Sequence, residues 1–243
     1  MTNKINNSLY SAFKTFDTLK KSGNKRFTYI DSWQSNQAFW FKKEHDNKIR
    51  KTYHKFDRGT IVFVNFGVNI GSEISGHHFA VVLNTNDYKT KPTITVVPLT
   101  SKNKDFYIPL DSTVITNTTI HLKMMLKELM KRSDINQEKI QELDELVSSK
   151  ILKFTKLSYI QLKIFYLLRD TREFSNSIKQ LEKIIKIYTK YKDNSFADVG
   201  NIQTISKLKI RIINEYDPSG KIKVTNDNLK DIETEIQKLF LSN

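Results

Sequence analysis

The sequence predicts an α+β protein: a small antiparallel β-domain, interrupted by an α-helical insertion, preceded by an N-terminal extension and closed by a C-terminal helix. Three observations carry that reading. Runs of β-branched and aromatic residues are confined to Thr60–Leu110, helical periodicity takes over beyond Thr119, and β-texture returns at Asn201. The elements could form three domains in a row, but neither β-half holds enough strands to close a barrel by itself, which favours one interrupted domain. The division is 1–56 for the extension, 57–118 for the first part of the β-domain, 119–194 for the insertion, and 195–243 for the second part with its helix.

Leu9, Phe13, Phe16 and Leu19 recur at helical spacing over 8–22, with Ser8 placed to cap the start and Gly23 just past the end. From Arg26 to Phe56 aromatic residues (Phe27, Tyr29, Trp33, Phe39, Trp40, Phe41) interleave with basic ones (Lys42, Lys43, Lys48, Arg50, Lys51). Such interleaving suits stacking on unpaired bases with phosphate contact, or equally an aromatic glue that fixes the extension to the next domain. The runs Ile61–Phe66, Phe79–Leu83, Thr93–Leu99 and Phe106–Leu110 read as short strands with tight links, as in a small barrel or sandwich.

Roughly 119–192 reads as three helices. Leu122, Met125 and Leu129 begin the stripe, Ile140, Leu143, Val147, Phe154, Leu157 and Ile164 continue it, and Phe174, Ile178, Leu181, Ile185 and Tyr188 step by four and three. Asn201–Lys209 reads as a strand. Arg211–Thr225 reads as a hairpin about the turn Asp217-Pro218-Ser219-Gly220, and Asp227–Leu241 as an amphipathic helix through Leu229, Ile232 and Ile236.

Composition excludes whole classes. The chain has 243 residues, 40 Lys and Arg against 26 Asp and Glu, and a formal net charge of +14, which makes a phosphate-rich partner the first expectation. With no cysteine there is no disulfide framework, thiolate nucleophile, zinc ribbon or iron–sulfur cluster, and five histidines leave little for a metal site, so neither metal nor cofactor is expected. Mean hydropathy is −0.49, and no apolar run approaches the roughly 20 residues of a membrane span. The first residues lack the continuous apolar core of a secretory signal, so a cytoplasmic protein without membrane contact is expected.

Four blocks carry a family resemblance. Arg58-Gly59 precedes the first strand and a Gly71-Ser72-Glu73 loop follows it. Gly76-His77-His78 stands ahead of Ala80-Val81-Val82-Leu83, and Val96-Val97-Pro98-Leu99-Thr100-Ser101-Lys102 comes next. Ile202-Gln203-Thr204-Ile205-Ser206-Lys207 is the fourth block. In that order they resemble the PemK/MazF family of type II toxin-antitoxin toxins, over about 57–110 and 195–241, with 1–55 and the helical block outside. The resemblance implies an SH3-like β-barrel with a C-terminal helix and metal-independent endoribonuclease cleavage of single-stranded RNA. It also implies a homodimer and an acidic antitoxin partner.

Metal-free RNA cleavage needs a base for the 2′-hydroxyl proton, an acid for the leaving 5′-oxygen, and donors for the charge growing on the phosphoryl oxygens. By the resemblance Thr100 matches a catalytic threonine. His78 stands where the family has an arginine; it can exchange a proton near neutrality but gives no permanent charge or bidentate fork. His77 aligns with a histidine of some members, so the two could divide the proton roles. Ser72 and Glu73 fall in the loop that lines the RNA site, Ser101, Lys102 and Arg58 are candidate phosphate contacts, and Gln203 replaces a second family arginine. Without the motif, two adjacent histidines are surface residues and Thr100 an ordinary strand end.

The insertion holds no catalytic motif; its stripes serve packing on the chain's own barrel, dimerisation, or a groove for an antitoxin helix. The rival to the enzyme is a non-catalytic module on the same barrel that binds nucleic acid, DNA included, or protein. Inhibition of a protein target such as a topoisomerase is a third reading.

Overall fold

The computed structural model describes residues 2–110, 118–125, 127, 172–188 and 195–241. Its helices are α1 (Thr2–Lys21), α2 (Ile30–His45), α3 (Arg172–Tyr188) and α4 (Asn226–Phe240). Its strands are β1 (Ile61–Gly67), β2 (Gly76–Val82), β3 (Thr93–Thr100), β4 (Tyr107–Pro109), β5 (Phe196–Asp198), β6 (Gln203–Ser206) and β7 (Ile210–Arg211). Residues 118–125 are helical as well. The middle of the helical block expected over 119–192 lies outside the described residues.

All described pairings are antiparallel, and the strand order is β4-β5-β3-β2-β1-β7, with β6 branching off on β3. The fold is thus a mixed helix and antiparallel-sheet structure, α+β as expected. Among the described strands the path does not close into a barrel: it runs from β4 at one edge to β7 at the other. Strands from both sides of 111–194 share the sheet, β5 and β6 on β3 and β7 on β1.

Alternation along the strands builds two apolar layers, because successive side chains point to opposite faces. Ile61, Phe79, Val81, Val97 and Leu99 form one with Ile184 and Tyr188 of α3 and Ile232 of α4. Val62, Val64, Phe66, Ala80, Val82, Ile94, Val96 and Ile205 form the other, joined by Phe56. Ile184 and Ile232 are fully buried, each worth about 1.5–3 kcal/mol by transfer of its side chain from water. Thr225 caps α4 by accepting the Asn228 N–H at 3.2 Å.

The expected Arg211–Thr225 hairpin is not formed. Ile210–Arg211 pairs with β1, the buried Asp217 carboxylate holds the turn by accepting the N–H groups of Ile213 (2.8 Å) and Ser219 (2.9 Å) and the Tyr188 hydroxyl (3.1 Å), and residues 220–224 run antiparallel to Gly59–Ile61 through backbone bonds and a Thr60–Lys223 bridge. The second arm of the expected hairpin thus pairs with the residues that lead into β1 instead of with Arg211 and its neighbours. The extension folds as a pair of helices, α1 against α2, and Trp33 of α2 lies on Gly67 at the end of β1. That contact is the aromatic glue weighed from the sequence. Leu9 and Phe13, by contrast, are exposed on α1.

Candidate functional site

The site begins at the start of β2. Asn65 pairs with His77 and Val64 with His78, so the two histidines project from opposite faces of the sheet. His77 stacks on Phe63, ring centroids 5.7 Å apart, whereas His78 meets Phe66 edge-on at 6.3 Å. A strand's two-residue period therefore overturns the idea that the pair divides the proton roles at one phosphate.

His78 is half-buried, and both ring nitrogens face backbone carbonyls: Nδ1 lies 3.1 Å from the Leu99 oxygen and Nε2 3.1 Å from that of Ser75. A neutral imidazole has one N–H and donates to one of them at a time. Since Ala80 pairs with Pro98, continuing the register brings His78 opposite Thr100 on the same face. Thr100 Oγ1 accepts the Lys102 N–H at 3.1 Å, which leaves the hydroxyl proton to be donated. Gln203, opposite Val96, shares this face one strand further on. Ser101 and Lys102 form the exposed turn after β3, and Ser72 and Glu73 are exposed in the β1–β2 loop.

Arg58 belongs elsewhere. Its guanidinium donates to the Leu83 carbonyl oxygen at 2.9 Å and is ion-paired with Glu233 of α4. Leu83 follows the end of β2 opposite to His78, about 17 Å away at the rise of an extended strand. Arg58 fastens the C-terminal helix to the sheet, and the expected phosphate contact is corrected accordingly. Lys207, the last residue of the fourth block, is likewise an internal strut, buried and ion-paired with Asp87 at 2.7 Å.

On the His77 face a pocket of about 500 Å³ opens between α2 and the sheet, lined by Lys25, Arg26, Trp33, Asn65, His77 and Arg211 among others. Burial holds the His77 imidazole below the ordinary histidine range, with Arg211 and then His78 adding to the effect, so the ring is neutral at pH 7. Asn65 and Arg211 escaped the sequence reading because nothing local marks them. Arg211 reaches this face only because it pairs with Phe63 across β1 and β7. Among the described residues no group of three His, Asp or Glu side chains is placed to hold a metal ion, and no helix is long and apolar enough to cross a membrane.

Residues 57–158 match PemK-like, MazF-like toxins of type II toxin-antitoxin systems. Over that span the resemblance carried by the motif blocks holds. The toxin-family match starts where the sequence texture changes and includes His77, His78, Thr100, Ser101 and Lys102. It runs on to residue 158, into the segment expected as an insertion, instead of resuming at 195. The fourth block, 202–207, lies outside it and is tied to the toxin-family segment by the pairing of β6 with β3. No curated protein matches the chain at a significant level.

Proposed function

We propose that the protein is a PemK/MazF-type toxin that cleaves single-stranded RNA without a metal ion, acts in the cytoplasm as a homodimer, and is neutralised by an acidic antitoxin. In this reading 57–118 and 195–243 build one SH3-like domain, 119–194 interrupts it and 1–56 extends it. The observation that carries it is the toxin-family match over the segment in which His78 and Thr100 come from neighbouring strands onto one face.

The chemistry follows from what the residues can exchange. A base takes the 2′-hydroxyl proton, O2′ attacks phosphorus, the P–O5′ bond breaks and an acid returns a proton to O5′. His78 serves this exchange once Nε2 releases the Ser75 carbonyl. The Thr100 hydroxyl donates to a phosphoryl oxygen, and the Lys102 ammonium supplies charge beside it. Ser72, Glu73, Ser101 and Gln203 line the approach of the strand. The test is purified protein with mixed single-stranded RNA in EDTA. Cleavage that is lost in His78→Ala and Thr100→Ala is expected; intact RNA with the wild type defeats the enzyme reading.

A second reading is a nucleic-acid-binding module without cleavage. It is favoured by the engagement of both His78 nitrogens and by the replacement of two family arginines at positions 78 and 203. It expects salt-sensitive RNA binding with no products.

A further inference from the structure

A second pocket, of about 480 Å³, lies beside the first, and Arg211 lines both. Lys25 and Arg26 reach the first, and Arg50, Lys89 and Lys221 the second. Among the described residues no Asp or Glu lines either one. These six cations have no carboxylate partner among the described residues, whereas Lys20, Lys21, Arg58, Lys207 and Lys223 are all ion-paired. Cations without a carboxylate partner, gathered at the β7 edge of the sheet, repel one another and lower the potential energy of a polyanion laid across them, and the hydrogen bond from Arg26 to the Asn69 carbonyl (2.6 Å) holds one of them in place without neutralising it. Aromatic rings stand among them: Tyr29 is 63% exposed at the first pocket, and Tyr53 lies under Arg50 at 5.5 Å in the second. Cations that follow a backbone, with rings that take bases, are the two elements of a single-strand binding groove.

We propose that these two pockets form one track for single-stranded RNA, running over Arg211 along the β7 edge. It is built jointly by the extension, β7 and the 219–221 turn, and most of it lies outside the toxin-family segment. Ser75 and Gly76 line the first pocket, and the Ser75 carbonyl also touches His78, so the track ends at the corner of the His78 face. The track thus holds the strand whose scissile phosphate the Proposed function places at His78, and it rests on that reading for the identity of its ligand. Each phosphate neutralised on a single strand contributes about −0.7 to the slope of log K against log salt, so a fully engaged track gives a slope approaching −4.

The experiment uses a fluorescein-labelled, fully 2′-O-methylated RNA 12-mer, which cannot be cut through its 2′-hydroxyls, with anisotropy titrations from 50 to 300 mM salt. Expected are a three- to tenfold loss of affinity and a slope reduced by about 0.7 in Arg211→Gln, and larger changes in Lys25→Gln/Arg26→Gln and in Lys89→Gln/Lys221→Gln. Lys89 and Lys221 are exposed, so that double variant tests the track even if Arg211→Gln does not fold. Lys238→Gln, on the helix that packs against β4 at the opposite edge, leaves affinity and slope unchanged. Wild-type binding that the track variants do not weaken, or that Lys238→Gln weakens equally, overturns the track while leaving the RNA reading intact. Equal competition by a 12-bp DNA duplex overturns its single-strand character. Absence of wild-type binding at 50 mM salt sinks the track and the proposed function together. If binding depends on the track but unmethylated RNA is not cut, the track is supported and the endonuclease reading fails.

Discussion

Replacing Lys207 by Met should be among the most damaging single changes in the protein. The Lys207 side chain is 1% exposed and that of Asp87 0%, with Nζ 2.7 Å from both carboxylate oxygens. Nζ also donates to the carbonyls of His54 (3.0 Å) and Tyr88 (3.3 Å), and Asp87 accepts the Phe56 N–H at 2.9 Å. Removing the ammonium leaves a buried carboxylate with one backbone donor. Such breaks cost about 3–5 kcal/mol, a large part of the roughly 5–15 kcal/mol that keeps a domain folded. With a urea dependence of about 2 kcal/mol per molar, the unfolding midpoint should fall by about 1.5–2.5 M. Lys207→Met/Asp87→Asn removes both charges and keeps an acceptor for Phe56, so it should recover more than half of the loss. Equilibrium urea unfolding followed by far-UV circular dichroism measures both. A single-variant cost below about 1 kcal/mol, or a double variant no better than Lys207→Met, would refute the assignment of the pair as a mutually dependent strut.

Three further outcomes are expected. Gly67 has φ 91°, and a Cβ there would lie 2.4 Å from two Trp33 ring atoms; Gly67→Ala should expel Trp33, cost about 2–4 kcal/mol, and red-shift tryptophan emission. Arg58→Ala should lower stability by about 1–2 kcal/mol through the freed Leu83 carbonyl and Glu233, with no change in RNA affinity by anisotropy. Burial holds His77 and His121 below the usual histidine value of 6.5; Arg211 and His78 add to this at His77, and at His121 Lys221 adds while Asp217 opposes. The folded state then binds these protons less readily than the unfolded one. Stability should be complete above pH 6.5 and decline below it, and His121→Gln, which removes a buried and unpartnered Nε2, should flatten that decline in urea midpoints measured from pH 7 to 5.

The central strands were legible because Ile61–Gly67 and Thr93–Thr100 carry β-branched residues between turn formers, and α4 because its apolar spacing keeps one face. Helix α2 was not, since Phe39, Trp40 and Phe41 run consecutively and spoil a helical stripe. The order of the histidine-bearing strand against Thr100 could be read from the motif blocks. The opposition of His77 to His78 needed only the two-residue period of a strand, which the motif drew attention away from. The role of Arg58 was misjudged, and that of Lys207 went unread, for a shared reason: a cation's partner lies far along the chain, Glu233 for one and Asp87 for the other, and no local pattern reveals it.

The pairing of β3 with β6 joins Thr93 to Ser206, across roughly a hundred residues of chain. At synthesis rates of about 5–20 residues per second, β3 leaves the ribosome roughly 6–20 s before its partner exists. During that interval the sheet lacks β5, β6 and β7, and with β7 the Arg211 cation. The toxin-family segment thus emerges well before β7, and the proposed RNA track cannot form until Arg211 and the 219–221 turn have been made.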